Sequence, residues 1–169
     1  MITIARVETE AQYDQIDELM AEFIDWDSSQ VRGLGLDAQE MVNFYYTTNE
    51  ESLPKAYAPP YGCLLLATKS LEAAGCGAFR KLMDDTCELK RMYVRPEYRG
   101  MHIGRQLAET LITTARDDGY RIMRLETTTF MQGAIALYLS LGFRTCEPYY
   151  EIPRSFGDIT VFMNLDLRC

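Results

Sequence analysis

The first part of the chain changes from alternating to helical hydrophobic spacing. Residues 2–7 are β-branched and alternating, which predicts a first strand. Thr9 and Gln12 have the spacing of a capping box, so we expect a helix to begin there and to run to about Trp26. Its apolar positions recur at helical spacing and are Tyr13, Ile16, Leu19, Met20, Phe23 and Ile24.

A second, shorter helix is expected before a proline-rich connection. Asp37 and Glu40 repeat the capping spacing, and the apolar residues that follow them fit one helical face. Those residues are Met41, Val42, Phe44 and Tyr45. Residues 49–62 contain Pro54, Pro59 and Pro60 and indicate a loop.

The middle of the chain predicts three strands, a helix and a fourth strand. The strands are residues 63–68, 75–82 and 87–94, and the tight turns between them indicate an antiparallel meander. Apolar residues recur at helical period over 103–115, with Gly119 at the position of a C-terminal cap. Residues 121–127 again have strand character. This strand–helix–strand order predicts parallel pairing between 87–94 and 121–127.

The remaining pattern completes one domain. Residues 132–141 predict a helix that Gly142 ends, and residues 145–151 and 159–167 predict two final strands. Neither repeats nor a domain-scale linker interrupt the chain. We therefore expect a single domain over 1–169 of the α+β (α/β) class, with a mixed central sheet of about six to seven strands and about four helices.

Composition narrows the class of partner. The 169 residues carry a formal net charge of −8, which argues against a nucleic-acid binder and suits basic or neutral small partners. Five cysteines and a single histidine, without a CxxC motif, give no metal site and indicate free thiols in a reducing compartment. The sequence shows neither a signal peptide nor an apolar run long enough for a membrane span, so we expect a cytoplasmic protein.

The segment VRPEYRGMHIGRQL, residues 94–107, carries the most specific chemistry. A strand ends there and a helix begins, with Gly100 and Gly104 near its first turn and arginines at 95, 99 and 105. A helix N-terminus offers free N–H groups that favour phosphate, and glycine lets a ligand approach the backbone. The segment therefore predicts a phosphate or pyrophosphate site. It contains neither the GxxxxGK of a P-loop nor the GxGxxG of a dinucleotide site.

This segment resembles the signature of the GNAT superfamily of acetyl-CoA-dependent N-acetyltransferases. Arg99, His102 and Gly104 match the motif of Arg or Gln, two residues, Gly, one residue, and Gly or Ala, with His102 in place of the first glycine. CELKRMYVRPEYRG is similar to the family's central strand and turn. AIALYLSLGF is similar to its late helix, with Tyr138 at the position of the family's tyrosine and Met131 where the family has Asn.

The resemblance implies a cofactor site for acetyl-CoA and a chemical role for Tyr138. Backbone amides of the turn would hold the CoA pyrophosphate, and the strand end would pair with the pantetheine arm, with the amide near Met92 polarising the thioester carbonyl. Tyr138 would return a proton to the leaving thiolate. The implied cofactor residues are Met92, Tyr93, Val94, Arg99, Gly100, Met101, His102, Ile103, Gly104 and Arg105.

The sequence offers three candidates for the general base: two carboxylates and a water. Glu88 falls where some members of the family carry a catalytic glutamate, and Glu126 on the adjacent predicted strand is its rival. An ordered water is the third way to remove the proton from the amine.

The function that follows is acetyl transfer to the primary amine of a small molecule, by direct attack in a ternary complex. The alternatives are a protein or peptide N-acetyltransferase, which needs an open acceptor groove, and an acyl-CoA-binding module without catalysis. The resemblance also allows a homodimer. We expect no metal, no membrane and no nucleic acid among the partners.

Overall fold

The strands of the chain hydrogen-bond into one mixed sheet. The structure is a computed structural model that describes residues 1–46 and 52–168. The strands are β1 (Ile2–Arg6), β2 (Cys63–Lys69), β3 (Glu72–Met83), β4 (Thr86–Val94), β5 (Ile122–Thr128), β6 (Arg144–Thr145) and β7 (Thr160–Asp166). The helices are α1 (Glu10–Gly33), α2 (Ala38–Tyr45), α3 (Leu53–Ala56), α4 (Ile103–Asp117) and α5 (Gln132–Ser140).

The sheet order is β1-β2-β3-β4-β5-β7-β6. Strands β1 to β4 pair antiparallel in sequence, which confirms the predicted meander. Strand β5 pairs parallel to β4, with α4 as the crossover, which confirms the predicted βαβ unit. Antiparallel β7 and β6 complete the other edge.

Each face of the sheet buries a separate apolar cluster, because successive strand residues point to opposite faces. Leu65 on β2 packs on the side of α4, together with Leu107 and Leu111 of that helix. Its neighbour Leu64 packs on the opposite side with Ile16 of α1. Fully burying one such side chain stabilises the fold by about 1.5–3 kcal/mol. The two helices therefore hold the sheet between them and leave its central strands to form the site.

Helix α1 continues past the predicted end near Trp26 to Gly33. The sequence suggests an end there because Asp27 and Ser28 are polar. In the fold both are buried, and Val31 extends the apolar stripe by a further turn. The capping box at Thr9 and Gln12 is present as predicted.

Two predictions for irregular regions are wrong in detail. The strand expected over 145–151 is reduced to the two residues of β6, since Pro148 has no N–H to donate to a ladder. The loop expected over 49–62 contains the four-residue helix α3, which makes five helices among the described residues instead of about four. Residues 49–51 of that loop lie outside the described residues.

The cysteines of the described chain are free thiols, as the sequence predicts. Cys63, Cys76 and Cys87 are buried, and Cys146 is partly exposed. Cys169 lies outside the described residues.

Candidate active site

A bulge in β4 and its separation from β5 open the centre of the sheet. Cys76 pairs with Tyr93, and Ala78 pairs with Lys90, so two residues of β4 face the single Gly77. The register between β4 and β5 ends at Glu88 and Arg124. Beyond that pair the two strands diverge. The backbone of Tyr93 and Val94 is therefore paired to β3 on one side. Within the described chain, residues 92–94 have no strand partner on the other side.

The turn after β4 brings a helix N-terminus to this opening. Gly100 and His102 have positive φ angles of 78° and 61°, and α4 begins at Ile103. The first N–H groups of a helix have no partners within it, so those of α4 are available to a ligand. Positive φ explains why a glycine is common at the motif position that His102 occupies, although histidine adopts this conformation more readily than most residues.

A cavity of about 760 Å³ lies between the end of β4, the start of α4 and helix α5. Its volume is in the range of sites that hold drug-sized ligands. The predicted cofactor residues that line it are Met92, Tyr93, Val94, Arg99, Gly100, His102, Ile103, Gly104 and Arg105. Met101 does not line it, because its side chain points outward, where its sulfur accepts from Lys69 Nζ at 3.7 Å.

The arginines near this cavity are held by different partners. Arg99 Nε donates to the carbonyl of Val94 at 3.1 Å, which ties the turn to the end of β4. Arg105 donates to Ser140 Oγ at 2.7 Å, which joins α4 to α5 across one end of the cavity. Arg95 binds Glu22 at 2.8 Å on the other face of the sheet, so its charge stabilises the packing of α1.

Tyr138 of α5 stands between this cavity and a second, smaller one. Its side chain is 6% exposed and lines both cavities, as do Phe23, Met92, Met131 and Ala134. Burial raises the pKa of the Tyr138 phenol well above its ordinary value, and the charge of Glu126 adds to the rise. The phenol therefore stays protonated at neutral pH.

The smaller cavity has a volume of about 120 Å³ and contains both acidic and basic residues. Asp27 and Glu126 line it, as do Lys90 and Arg91. Aromatic side chains from the end of α2 and from the segment before β7 also line it. These are Tyr45, Tyr46 and Phe156.

The two candidate bases differ in their surroundings. Glu88 is 2% exposed and lines neither cavity; Tyr149 donates to it at 2.7 Å, and Arg80 and Lys90 lie within 3.2 and 3.6 Å. Glu126 lines the smaller cavity. Burial raises the pKa of Glu126 to about 7, with the Lys90 charge opposing that rise.

The amino-acid sequence has relatives along most of its length. The acetyltransferase (GNAT) family matches residues 15–143. An uncharacterized N-acetyltransferase of Schizosaccharomyces pombe is 34% identical over 155 residues, which cover 90% of this chain and 88% of that protein. The uncharacterized N-acetyltransferase YjgM of Escherichia coli is 36% identical over 98 residues, which cover 56% of this chain and 59% of that protein.

This chain belongs to the acetyltransferase (GNAT) family. It is an acetyl-CoA-dependent acyltransferase, as the motif over 99–104 implies. The crystal structure of a GNAT-family acetyltransferase from Staphylococcus aureus superposes with a TM-score of 0.72 at 20% identity, covering 99% of this chain and 100% of that one. The Salmonella typhimurium protein yncA, solved with its cofactor acetyl-CoA, has a TM-score of 0.67 at 21% identity over 98% and 94% of the chains. Both confirm the predicted fold.

Two further properties of the acetyltransferase come from the described residues. Over 1–46 and 52–168, His, Cys, Asp and Glu side chains form no group of three that could hold a metal ion. Within the same part of the chain, no helix is long and apolar enough to cross a membrane.

Two residues that line the smaller cavity lie outside the elements that the sequence predicts. Asp27 lies beyond the predicted end of α1, and Thr128 lies one residue beyond the predicted strand 121–127. Asp27 follows Phe23 by four positions and so continues the inward face of α1, a periodicity that was present in the sequence. Met131, at the family's Asn position, accepts a hydrogen bond from Thr127 through its sulfur at 3.4 Å.

Proposed function

We propose that this acetyltransferase transfers the acetyl group of acetyl-CoA to the primary amine of a small molecule, by direct attack in a ternary complex. The smaller cavity supports this proposal most directly. It is lined by two carboxylates, and Tyr138 lines both it and the larger cavity, which is called the larger cleft below. An ammonium compound suits this cavity, because its basic residues Lys90 and Arg91 are engaged by Glu88 and Tyr57. The homodimer and the cytoplasmic location stay predictions.

The larger cleft fits acetyl-CoA in its backbone chemistry. The unpaired edge of residues 92–94 offers N–H and C=O groups to the amide-containing pantetheine arm, in the manner of an added strand. The start of α4, with positive φ at 100 and 102, turns N–H groups toward the pyrophosphate. Acetyl-CoA supplies the activated acetyl thioester, and these groups would bind and orient it.

The side chains divide the proton transfers between them. In the transfer a C–N bond forms and the C–S bond breaks, so the amine loses a proton and the sulfur gains one. Tyr138, which remains protonated, would donate a proton to the sulfur. Glu126, with a pKa of about 7, would accept the proton of the amine directly or through a water.

We favour Glu126 over Glu88 as the base. Glu88 is held in ion pairs and a hydrogen bond at the last residues where β4 and β5 still pair. Glu126 lies two residues farther along β5, where the strands have separated. Because a base must reach the reacting amine, we favour the carboxylate that lines the cavity.

The closed acceptor side favours a small molecule over a peptide. Tyr45 and Thr160 hydrogen-bond through their hydroxyls at 3.1 Å, and Ser155 donates to Glu40 at 3.0 Å. Phe156 is buried against Tyr45. These contacts join α2 to the segment before β7, where a peptide acceptor would need an open groove.

The test is CoA release from acetyl-CoA. We would follow CoA by chromatography, because the partly exposed thiol of Cys146 would react with a thiol dye. The acceptors are primary alkylamines, diamines and short peptides with free N-termini or lysines. We expect turnover on small amines. Turnover on peptides alone would overturn the proposal and support the protein-acetylating alternative. Acetyl-CoA binding, seen as a raised melting temperature, without turnover on any acceptor would also contradict it.

A further inference from the structure

Buried polar atoms without partners are concentrated at the smaller cavity. Among the described residues, three buried side-chain atoms have no hydrogen-bond partner: Asp27 Oδ1, Thr128 Oγ1 and Arg124 Nε. Asp27 and Thr128 both line the smaller cavity. Since buried polar groups are normally satisfied within a protein, two such atoms at one cavity indicate groups that a ligand completes.

Asp27 is held so that one oxygen is engaged and the other is not. Its side chain is 5% exposed, and Oδ2 accepts a hydrogen bond from the Tyr46 hydroxyl at 2.7 Å. Tyr46 in turn packs edge-on against Phe23 at 6.2 Å. The carboxylate is therefore fixed in orientation. A buried carboxylate costs stability unless it is paired, and its natural complement is a cation with N–H donors.

The basic residues of the same cavity are engaged with other groups. Lys90 lies 3.6 Å from Glu88 Oε1. Arg91 donates to the Tyr57 hydroxyl at 3.1 Å and stacks over that ring at 5.7 Å. Neither Lys90 nor Arg91 forms an ion pair with Asp27. The Asp27 carboxylate therefore lacks a positively charged partner within the described chain.

Asp27 lies on α1 at a distance from the junction of the two cavities, where Tyr138 lies. Phe23 lines both cavities, whereas Asp27, four residues later on the same helix, lines only the smaller one. Four helical residues correspond to about 6 Å along the axis. A group bound by Asp27 therefore lies about one helical turn deeper than the junction at Tyr138.

We infer that Asp27 and Thr128 bind a second, cationic amino group of the acceptor, and that the acceptor is a short diamine. This rests on the proposed function and narrows its substrate class. One amino group lies beside Tyr138 and Glu126 and receives the acetyl group. The other stays protonated, donates to Asp27 Oδ1 and Thr128 Oγ1, and fixes the reach of the chain between them.

The first experiment compares three acceptors of similar length. Diaminobutane has an amino group at each end, n-butylamine has a methyl group at one end, and γ-aminobutyrate has a carboxylate there. We expect kcat/KM for diaminobutane to exceed that for butylamine by about tenfold or more, the value of a hydrogen bond to a charged group. Aminobutyrate should be the poorest, because its carboxylate would face Asp27.

The second experiment asks whether that preference depends on Asp27. We expect Asp27→Asn to reduce the diaminobutane-to-butylamine ratio of kcat/KM toward one, and Thr128→Val to reduce it by a smaller factor. The matched control is Asp25→Asn, an exposed carboxylate on the same helix, which should keep the wild-type ratio. A wild-type ratio in a folded Asp27→Asn variant would overturn the inference, as would equal kcat/KM values for the two amines in the wild type.

A binding measurement separates this inference from the proposed function. Diaminobutane alone should raise the melting temperature of the wild type more than butylamine does, and Asp27→Asn should remove the difference. If diaminobutane raises the melting temperature in this Asp27-dependent way but is not acetylated, the diamine site is supported and the proposed reaction is refuted. If butylamine is acetylated and diaminobutane gives neither a higher kcat/KM nor a higher melting temperature, the reaction is supported and the diamine site is refuted.

Discussion

A Cβ atom on Gly75 would lie 2.6 Å from the carbonyl oxygen of Tyr93. The two residues are diagonal neighbours on β3 and β4, because Gly75 pairs with Val94 and Tyr93 pairs with Cys76. The contact involves backbone rather than the tip of a side chain, so it cannot be relieved by a rotamer change. The absence of a side chain at 75 therefore sets the position of the strand end that lines the larger cleft.

We predict that Gly75→Ala lowers the free energy of unfolding by about 1–3 kcal/mol and raises the KM for acetyl-CoA. The displaced strand would no longer present residues 92–94 to the cofactor. Urea unfolding and initial rates measure the two effects. Gly33→Ala is the control, because a Cβ there meets nothing within 4 Å, and it should leave KM unchanged. An unaltered acetyl-CoA KM in Gly75→Ala would refute this role of the close approach.

His102→Gly should increase stability by about 0.5–1 kcal/mol while retaining acetyl-CoA binding. The left-handed conformation at 102 costs a residue with a side chain about 1–2 kcal/mol, and part of the relief is offset by the greater chain entropy of glycine. His102→Ala keeps the backbone cost and should show no such gain. Weaker acetyl-CoA binding in both variants would instead assign a contact to the imidazole.

Tyr138→Phe should lower kcat by about 10²–10⁴, the usual contribution of general acid–base catalysis. Its stability should change little, since no described residue hydrogen-bonds its hydroxyl. Tyr120→Phe serves as the matched control: this buried tyrosine donates to the carbonyl of Tyr61 at 2.9 Å and lines neither cavity. The Tyr120→Phe variant should lose about 1 kcal/mol of stability and keep the wild-type kcat. Wild-type turnover in Tyr138→Phe would remove the proposed acid.

The pH dependence of kcat/KM should contain an inflection near 7 that belongs to Glu126. Burial raises the pKa of Glu126 to about 7, and a base acts in its ionised form, so activity is present above that pH and falls as the pH decreases through it. Glu126→Gln should lose this inflection and most of the activity. A retained inflection in that variant would assign it to the acceptor amine.

The same ionisation affects stability with the opposite trend. The pKa of Glu126 is higher in the fold than its ordinary value of 4.5, so the fold is favoured while the carboxyl is protonated and loses stability as pH rises through about 7. Glu126→Gln should therefore raise the melting temperature more at pH 8 than at pH 5.

Glu88→Gln tests the effect of the neighbouring carboxylate on the pH dependence of kcat/KM. Because the Glu88 charge contributes to raising the pKa of Glu126, its removal should move the inflection to lower pH.

The proposed acceptor site shows what could not be predicted from the sequence. Helical periodicity alone could have carried α1 beyond Trp26 to Asp27, but nothing in the sequence indicates that a polar residue at that point is buried. Its burial depends on Tyr46, which is nineteen residues away and donates to it. Contacts between distant segments are absent from any local pattern, so the orphan oxygen of Asp27 appears only in the fold.

Most of the order of elements, the meander and the parallel crossover follow from the amino-acid sequence, because they depend on hydrophobic period and turn residues. The motif over 99–104 came from its resemblance to the GNAT signature. The same resemblance identified Tyr138 as a candidate. The reason to favour Glu126 over Glu88 as the proposed base came from the fold. Both are strand carboxylates, and the choice depends on where β4 and β5 separate, which is set by the bulge opposite Gly77 and by long-range pairing.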